Sequence, residues 1–564
     1  MNYKDRYREW LNNSYFDQKT KMELLAIEND EAEIEDRFYQ DLKFGTAGLR
    51  GKIGAGTNRM NKYTVSLATQ GLADVIKDYG QEAMERGVAI SHDVRHKSDE
   101  FARITASVLA ANGIKVFIHE DITPTPVLSY TIRKLGCISG VMITASHNPK
   151  DYNGYKAYWE EGSQILDGIA DLILNNIQRI NDYSEVKMMD FDEGVKQGLI
   201  KVLGHELIDD YLEDVLALSL EDENIDKNIK VVYSPLNGTG YKLIKEILER
   251  RGFTNVYIVE EQKDPDPDFT TVGYPNPEDP KAFEYAEKLG HEKQADILIA
   301  TDPDADRTAL EVLDENGEYR FLTGNEIGSL LTYYILSRLS EQNKLPHNPV
   351  IVRSIVTTDL TDKIAEKYGV ESQAVLTGFK NIYAPANEWD KTNEKTFVYG
   401  FEESIGYSYG TQVRDKDAVS SAMMIVEMAA YFKKQNKSLI DVLEDLSKEH
   451  GYHSSKLISI VIEGLSGQQL IGRIMEEFRA NPIKEVAGKE LVEITDYEFD
   501  ETGLPKSNVL KYKLSDGSWY VLRPSGTEPK IKLYIYSVAD DAESAQKMVD
   551  AIYETANAKI HSVE

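Results

Sequence analysis

Short runs of apolar, β-branched residues alternate with stretches of helical pattern through most of the chain. Three runs of this kind open similar units: VAISHD (88–93), IKVVYS (229–234) and PVIVRS (349–354). In each unit a helical stretch leads to a second apolar run, at 113–121, 252–260 and 368–378, and later to a third, at 140–147, 295–306 and 396–404. Strands that alternate with helices predict α/β organisation. The recurrence predicts three related units, each strand–helix–strand–helix–strand.

The two ends of the chain have a different texture. Residues 1–40 are rich in Glu, Lys, Leu and Tyr and predict helices, while the stretch after about residue 450 predicts a small α+β domain with a hairpin at Asp516-Gly517. We therefore predict an α/β protein in which three related α/β domains and a C-terminal α+β domain surround a central cleft. The predicted limits are 1–205 (with a helical extension at 1–40), 206–325, 326–452 and 453–564.

Composition narrows the class of protein. The 564 residues include 64 Lys and Arg against 95 Asp and Glu, a net charge of −31, which disfavours nucleic acid or an anionic membrane as a partner. The single cysteine, Cys137, excludes an intrachain disulfide and predicts a small buried residue. No apolar run reaches the roughly 18 residues of a membrane span, and the charged N-terminus lacks a signal-peptide core. We expect a cytoplasmic protein.

The loops that follow the third apolar run of each unit carry unusual residues. They are TASHNP, TDPDADR and GFEESIGY. Ligands of open α/β sheets bind beyond the carboxyl ends of the strands. If the units are equivalent, these three loops face one cleft and build one site from three domains.

In TDPDADR the acidic residues alternate, as Asp302, Asp304 and Asp306. Alternation can aim three carboxylates at one point, and hard oxygen donors suit Mg²⁺. An EF-hand is excluded, because Arg307 and Leu313 stand where that loop needs Gly and Glu. A different interpretation makes Asp302 a phosphate-accepting nucleophile, as in haloacid-dehalogenase-like phosphatases, but it leaves the serine loop without a role.

In TASHNP, Ser146 is a candidate carrier of a phosphoryl group. A phosphoserine adds about −1.5 to −2 charge and needs cations around it, which a metal held by the Asp cluster would supply. Adjacent side chains on a strand point to opposite faces, so we expect His147 to be a poor direct base for Ser146. Lys156 follows an expected turn at Asn153-Gly154 and could fold back towards Ser146, to bind phosphate or to donate a proton.

Four other stretches offer binding chemistry. FGTAGLRGKIG (44–54) combines closely spaced glycines with Arg50, and glycines let backbone N–H groups approach an anion. RPSGTEPK (523–530) offers a guanidinium, two hydroxyls and a bare backbone, which together suit a phosphate. GFEES (400–404) suits sugar hydroxyls, and TGFK (377–380) could add a selecting loop with a lysine on a phosphate.

Taken in order, GTAGLRG, TASHNP, TDPDADR, GFEESIGY and RPSGTEPK resemble the motifs of the α-D-phosphohexomutases, the phosphoglucomutase/phosphomannomutase superfamily. The resemblance covers nearly the whole chain. The 43 residues before FGTAGLRG, together with GFEESIGY and RDKDA (414–418), resemble the longer branch that includes bacterial phosphoglucomutases and phosphopentomutase-like eukaryotic enzymes. Ala418 departs from that pattern, because it stands where glycine is expected.

The resemblance implies roles for particular residues of this chain. Ser146 would be the phosphoserine, and Mg²⁺ would lie between its phosphate and Asp302, Asp304 and Asp306. Arg50 and Lys156 would handle general acid–base work, with His147 beside the phosphoserine as a further candidate catalytic residue. The implied substrate-binding residues are Arg307 beside the metal loop, Gly378, Lys380, Glu402 and Ser404 around the sugar, and Arg523, Ser525, Gly526 and Thr527 around the non-reacting phosphate.

The implied activity is that of a phosphoglucomutase, with small sugar phosphates as partners and glucose 1,6-bisphosphate as primer. Phosphopentomutase, phosphomannomutase and glucose 1,6-bisphosphate synthase stay open within the same family. Outside it stand a phosphatase that uses Asp302 and a catalytically silent sugar-phosphate sensor. The sequence leaves the oligomeric state and the role of the N-terminal 40 residues open.

Overall fold

The structure is a computed structural model that describes residues 2–45, 48–462, 465–524 and 530–563, with the backbone alone at residues 465 and 466. Three helices come first: α1 (Tyr3–Asn12), α2 (Gln18–Ala26) and α3 (Glu31–Phe38). Each begins after an Asn or Asp whose side chain accepts a backbone N–H of the first turn. Trp10 and Phe16 of this segment pack against Tyr63 and Tyr183 of the first domain. This helical segment therefore packs on the first domain.

The first domain contains a six-stranded sheet in the order β1-β5-β4-β2-β3-β6. Its strands are β1 (Leu49–Lys52), β2 (Val88–His92), β3 (Val116–His119), β4 (Ser139–Ile143), β5 (Tyr152–Trp159) and β6 (Ile200–Leu203). Its helices are α4 (Lys62–Asp78), α5 (Gln81–Arg86), α6 (Ser98–Ala111), α7 (Thr125–Leu135), α8 (Asp167–Arg179) and α9 (Phe191–Lys196). Every residue of β2 and β4 is buried, as expected for central strands covered by helices.

The second domain has a five-stranded sheet in the order β11-β10-β9-β7-β8. Its elements are α10 (Glu206–Leu216), β7 (Val231–Ser234), α11 (Tyr241–Arg250), β8 (Val256–Ile258), α12 (Glu260–Lys263), α13 (Glu284–Lys293), β9 (Ile297–Thr301), β10 (Thr308–Leu313) and β11 (Tyr319–Leu322).

The third domain has a four-stranded sheet in the order β13-β12-β14-β15. Its elements are α14 (Gly324–Glu341), β12 (Pro349–Ser354), α15 (Leu360–Lys367), β13 (Glu371–Val375), α16 (Phe379–Thr392), β14 (Thr396–Glu402), β15 (Gly406–Tyr409), α17 (Ala418–Lys434) and α18 (Leu439–His450). Ala418 is the first residue of α17 and has no positive φ, so alanine meets no backbone strain where the family pattern has glycine.

The three sheets share one core topology, which confirms the predicted repeat. In each, the first strand of the unit (β2, β7 or β12) lies between the second and the third and runs parallel to both. A fourth strand (β5, β10 or β15) then returns antiparallel beside the third. The loops between third and fourth strands are named here the serine loop (144–151), the metal loop (302–307) and the sugar loop (403–405). Each contains one non-glycine residue with positive φ: Ser146 (53°), Ala305 (48°) and Ile405 (53°).

The expected turn at Asn153-Gly154 is wrong. Both residues lie inside β5, and the chain reverses earlier, within the serine loop. The buried Asn153 side chain donates to the carbonyl of His96 and to the Ser98 hydroxyl, so it ties β5 to α6. A Cβ on Gly154 would lie 2.5 Å from the Thr144 carbonyl oxygen, so glycine there serves close strand packing rather than a turn.

The fourth domain has a sheet in the order β16-β21-β20-β19-β18-β17, with neighbouring strands antiparallel. Its elements are β16 (Tyr452–Val461), α19 (Leu465–Ala480), β17 (Glu485–Val486), β18 (Lys489–Asp496), β19 (Leu510–Leu514), β20 (Trp519–Pro524), β21 (Lys530–Ala539) and α20 (Ala542–Ser562). The hairpin at Asp516-Gly517 is confirmed, with Gly517 at φ 89° between β19 and β20. The predicted fold class, three α/β domains and one α+β domain, is confirmed.

Two apolar interfaces arrange the domains around the cleft. One continuous core runs from the second domain into the third and includes Leu298, Tyr334 and Met424. A separate cluster joins Ile355 and Val356, just beyond β12, to Trp519 and Tyr534 of the fourth domain. The fourth domain therefore packs beside the sugar loop.

Candidate active site

Ser146 lies where the serine loop meets the metal loop. Its backbone N–H donates to the Thr144 hydroxyl over 2.9 Å, and its own hydroxyl donates to Oδ2 of Asp302 over 3.0 Å. The Ser146 side chain is buried, with 4% of the residue exposed. Two domains thus bring together a hydroxyl and a carboxylate that are 156 residues apart in sequence.

His147 does not point away from Ser146, so strand alternation, the premise of that expectation, is wrong here. Its Nδ1 lies 3.2 Å from the Ser146 hydroxyl oxygen. The reason is that β4 ends at Ile143 and Ser146 has φ 53°, so strand alternation no longer applies to this pair. Burial, then the neighbouring Arg307 and Arg50, hold the pKa of His147 well below its usual value, which leaves a neutral ring next to the serine.

The three aspartates of the metal loop converge as predicted. One oxygen from each of Asp302, Asp304 and Asp306 lies within 4.8 Å of the other two, and all three residues are buried. Asp302 Oδ1 accepts the backbone N–H groups of Asp306 and Arg307, which fixes the loop. Oδ1 of Asp304 and Oδ1 of Asp306 are buried and accept no hydrogen bond from any described residue. Buried carboxylate oxygens that accept no hydrogen bond and converge in this way fit a divalent cation.

The pKa values of Asp302 and Asp304 shift in opposite directions. Burial, together with the negative charges of Asp304 and Asp306, raises the pKa of Asp302 well above its ordinary value. Burial also disfavours the charged form of Asp304, but the Lys156 ammonium outweighs it and holds the pKa of Asp304 well below the usual range. The cluster therefore carries concentrated negative charge for which nearby cations compete.

Two buried lysines supply positive charge to this cluster. Lys156 on β5 has its Nζ 2.7 Å from Asp304 Oδ2 and 3.3 Å from Asp306 Oδ2. Lys416 of the third domain lies 3.2 Å from Asp306 Oδ2. Burial lowers both lysine pKa values, but the surrounding aspartates outweigh burial and raise them, so both lysines stay protonated at neutral pH.

Arg50 and Arg307 flank the same two loops. Arg50 is exposed on β1 and donates to the Asn148 side chain over 3.2 Å, which places it against the serine loop. Arg307 follows the aspartates, and the acidic groups around it, Asp306 first, raise the pKa of its guanidinium against the effect of burial. Its backbone pairs with Gly406, so the metal loop is joined to the start of β15.

The sugar loop begins with acidic residues at the end of β14. The Glu402 carboxylate accepts the backbone N–H of Gly378, the residue that precedes α16. The negative charge of Glu402 is one of several that raise the pKa values of Arg307 and Lys416 against the effect of burial. Ser404 is partly exposed in this loop. Lys380 pairs with Asp167 of the first domain over 3.1 Å.

Glu403, next to Glu402, connects this loop to β12. It accepts the Ser354 hydroxyl over 3.1 Å, and burial followed by the charge of Glu402 raises the pKa of Glu403 to about 7. The Lys532 ammonium of β21 acts on Glu403 in the opposite direction. The sugar loop is thus in electrostatic contact with the fourth domain.

In the fourth domain, Arg523 on β20 lies opposite Lys532 on the antiparallel strand β21. The neighbouring residue Tyr534 of β21 has its ring in the interface with the third domain. Ser525, Gly526 and Thr527, the other predicted phosphate-binding residues, lie outside the described residues.

Sequence reasoning missed four residues that the structure places around the serine and metal loops or at the sugar loop. They are Arg95, Thr125, Lys416 and Lys532. Arg95 donates to the Ser146 carbonyl over 2.6 Å, and Thr125 donates to the Asp304 carboxylate. Lys416 carried a usable signal, since it stands between two acids in RDKDA. Arg95 and Thr125 had none, because their partners are 51 and 179 residues away in sequence.

The chain is similar to known proteins over most of its length. Models of the phosphoglucomutase/phosphomannomutase family match it in order: α/β/α domain I at residues 41–184, domain II at 209–317, domain III at 323–450 and the C-terminal domain at 472–555. A phosphoglucomutase of Staphylococcus haemolyticus (strain JCSC1435) is 37% identical over 528 residues, with 91% of this chain and 93% of the relative covered. A phosphoglucomutase of Staphylococcus aureus (strain bovine RF122 / ET3-1) is 36% identical over 531 residues, with 92% and 94% covered.

Solved structures agree in fold. The open form of pp63/parafusin, a phosphoglucomutase from Paramecium, superimposes with a TM-score of 0.69 at 18% identity, covering 93% of this chain and 95% of that one. A phosphoglucomutase/phosphomannomutase family protein from Burkholderia thailandensis gives a TM-score of 0.67 at 18% identity, covering 92% and 98%. The four-domain arrangement is shared.

Proposed function

Because the chain belongs to the phosphoglucomutase/phosphomannomutase family, we propose that it acts as a phosphoglucomutase, which interconverts glucose 1-phosphate and glucose 6-phosphate. Relatives 36–37% identical over more than nine tenths of the chain bear that name. The observation that carries the proposal is the buried contact of 3.0 Å between the Ser146 hydroxyl and Asp302, with two lysines beside the same acidic cluster.

In this proposal Ser146 carries the phosphoryl group. The free hydroxyl oxygen of the sugar phosphate bonds to phosphorus as the Ser146 Oγ–P bond breaks. The proton of that hydroxyl passes to a base, and the departing serine oxygen takes a proton from a general acid. The product is a bisphosphate, which turns over in the cleft and returns its other phosphoryl group to Ser146. Glucose 1,6-bisphosphate would prime an unphosphorylated enzyme by the same return step.

Asp302, Asp304 and Asp306 would hold Mg²⁺, which supplies positive charge to the transferring phosphoryl group. Lys156 is protonated and close to the metal loop, which suits a general acid, and Arg50 would share the acid–base work. His147 is neutral and within hydrogen-bonding distance of Ser146, so we assign it a role in orienting the serine oxygen. Arg307 would bind the substrate beside the metal loop.

Recognition would take place at the other end of the cleft. Glu402 would accept hydrogen bonds from sugar hydroxyls, and Ser404 would exchange hydrogen bonds with them. Gly378 and Lys380 would lie beside these two residues. Arg523 would grip the non-reacting phosphate together with Ser525, Gly526 and Thr527. We also propose the limits 1–205, 206–325, 326–452 and 453–564 for the four domains. Both phosphate positions of the sugar would have to fit the same phosphate-binding residues, 523–527.

We propose a cytoplasmic location and small sugar phosphates as partners. The composition supports this, with a net charge of −31 and a single, buried cysteine. Among the helices that the structure describes, none combines the length and apolar character needed to cross a bilayer.

The test is the intact mass of the purified protein after incubation with glucose 1,6-bisphosphate. We expect a mass one phosphate higher than the sequence predicts, which Ser146→Ala abolishes together with mutase activity. Ser404→Ala, with a partly exposed serine in another loop, should keep the added phosphate. Wild-type turnover by Ser146→Ala, or a stable phosphate on Asp302, would support the phosphatase instead. Assays on the 1-phosphates of glucose, mannose and ribose test the substrate, and a large preference for the pentose would contradict glucose.

A further inference from the structure

Arg95 lies behind the serine loop and holds its backbone. The guanidinium donates to the carbonyl oxygens of Ser146, Asn148, Pro149 and Tyr152 over 2.6, 2.5, 2.8 and 3.2 Å. The Arg95 side chain is fully buried. Such a planar fork of donors, fixed on several carbonyl groups at once, restricts both the position and the orientation of the loop.

The loop needs such support because Ser146 has φ 53°. A non-glycine residue holds a left-handed conformation of this kind only where the surrounding structure fixes it. The Thr144 hydroxyl fixes the N–H of Ser146, and Arg95 fixes its carbonyl. Together they determine the direction of the Ser146 side chain, whose oxygen reaches Asp302.

Arg95 is itself held from two domains. Within the first domain, Asp93 Oδ2 lies 3.3 Å from its Nε. From the second domain, the ring of Phe269 lies 5.1 Å from the guanidinium carbon, and Phe269 is fully buried with φ 48°. An aromatic face turned to a desolvated guanidinium attracts it and keeps water away.

The segment around Phe269 makes a second contact with the serine loop. The carboxylate of its neighbour Asp268 lies 3.1 Å from Nζ of Lys150 and 3.2 Å from Nε2 of His96. The second domain therefore holds the serine loop from two directions, through Asp302 on the side of the cleft and through Phe269 and Asp268 behind it.

We propose that Arg95 and Phe269 are positioning residues for the phosphoserine. Arg95 fixes the backbone conformation of Ser146, and Phe269 keeps the Arg95 guanidinium in place against the loop carbonyls. The docking of the second domain therefore sets the orientation of the Ser146 oxygen that carries the phosphoryl group. The proposal rests on the proposed function, because it assigns the Ser146 oxygen as the phosphoryl carrier. In this role neither side chain needs to contact the substrate.

Phe269→Leu tests this role, since it keeps an apolar side chain but removes the ring. A small misplacement of reacting groups lowers a rate by up to about 100-fold, and we expect kcat to fall roughly 10-fold, while KM for glucose 1-phosphate stays within about twofold. The phosphorylated enzyme should also lose phosphate to water faster. In that side reaction a water oxygen bonds to phosphorus, the Ser146 Oγ–P bond breaks and the proton goes to the serine oxygen.

Phe283→Leu is the matched control, because Phe283 is another fully buried phenylalanine of the second domain that packs against Phe321. A double-mutant cycle with Arg95→Lys tests the pair. If Phe269 acts through Arg95, the double variant should lose little more activity than Arg95→Lys alone. If Arg95→Lys does not fold, the comparison of Phe269→Leu with Phe283→Leu decides.

Amide hydrogen exchange gives a readout that needs no activity. Amides of residues 144–152 should exchange faster in Phe269→Leu than in Phe283→Leu at equal loss of melting temperature. Equal exchange in the two variants, or a kcat in Phe269→Leu no lower than in Phe283→Leu, would overturn the positioning role. A rise in KM that matches the loss of kcat/KM would also overturn it and indicate substrate binding. An inactive wild type would refute the proposed function instead, while the exchange result would still decide the placement of the loop.

Discussion

The serine and metal loops touch each other directly through buried side chains, whereas residues proposed for recognition in the sugar loop and in the fourth domain are partly exposed. At the first pair, Ser146, Asp302, Asp304 and Lys156 are all at most 5% exposed and are joined by hydrogen bonds and ion pairs of 2.7–3.0 Å. At the second pair, Ser404 and Arg523 are only half-buried. The difference teaches that the proposed chemistry and the proposed recognition have separate structural requirements, since phosphoryl transfer depends on fixed charges and sugar turnover depends on room to move.

The strongest way to break this comparison is Asp304→Asn. A charge pair at about 4 Å is worth about 4 kcal/mol at an effective dielectric of about 20, or roughly 10³-fold in rate. We expect a loss of kcat of that order, and loss of the rise in melting temperature that Mg²⁺ gives the wild type. Chelation of the metal should inactivate the wild type in the same assay.

Glu315→Gln is the control for this variant, because it removes an exposed acid from the same domain and should change neither activity nor the Mg²⁺ response. Wild-type turnover by Asp304→Asn would remove the metal assignment. The buried chemistry end would then tolerate a lost charge as readily as the exposed end.

Arg523→Gln should act differently, at the recognition end. A hydrogen bond to a charged group contributes about 1.5–3 kcal/mol, so we expect KM for glucose 1-phosphate to rise about 10- to 100-fold with a much smaller change in kcat. Steady-state kinetics measures both. Lys547→Gln, with an exposed cation on α20, provides the charge-matched control. A fall in kcat at constant KM would mean that Arg523 belongs to the chemistry.

The smallest expected effect concerns pH. Burial and the Glu402 charge raise the pKa of Glu403 to about 7, so the folded protein binds a proton that the unfolded chain releases above its ordinary value of 4.5. The stability from this proton is complete below that value and is lost as pH rises through about 7. Between pH 5 and 8 the melting temperature of the wild type should therefore fall more than that of Glu403→Gln, by on the order of 2 °C.

Glu311→Gln separates this effect from the cleft. Burial, then Glu287 beside it, raise the pKa of Glu311 to about 8, and Glu311 lies on β10, outside the three loops. Both variants should flatten the pH dependence of the melting temperature, but only Glu403→Gln should also change KM. Identical KM values in the two variants would show that Glu403 has no role in substrate recognition.

Much of the fold could be predicted because the local pattern of apolar and polar residues indicates which segments are buried. The strands at 88–92, 231–234 and 349–354 were found from short apolar runs, and their recurrence predicted a common unit. Asn153-Gly154 was misjudged, because a sequence pattern typical of turns is also compatible with a strand where a side chain bonds to a neighbouring loop and where backbones approach closely. Local patterns cannot tell these two uses apart.

The candidate site divides in the same way. Ser146 and the three aspartates were found from their own loops. The orientation of His147 was not, since it depends on a positive φ at Ser146 that distant residues enforce. Arg95, Thr125 and Lys416 were missed as members of the site, because each reaches it through a contact with a residue that is distant in sequence.

By itself, then, the amino-acid order determined which segments become strands and which loops carry hydroxyl, carboxylate and cationic groups, since these follow from hydrophobicity and side-chain chemistry over a few residues. Only the tertiary structure decided which of these groups touch. Contacts such as Ser146 with Asp302 and Arg95 with Phe269 join residues more than 150 positions apart. The packing of whole domains brings them together, and no local pattern contains that information.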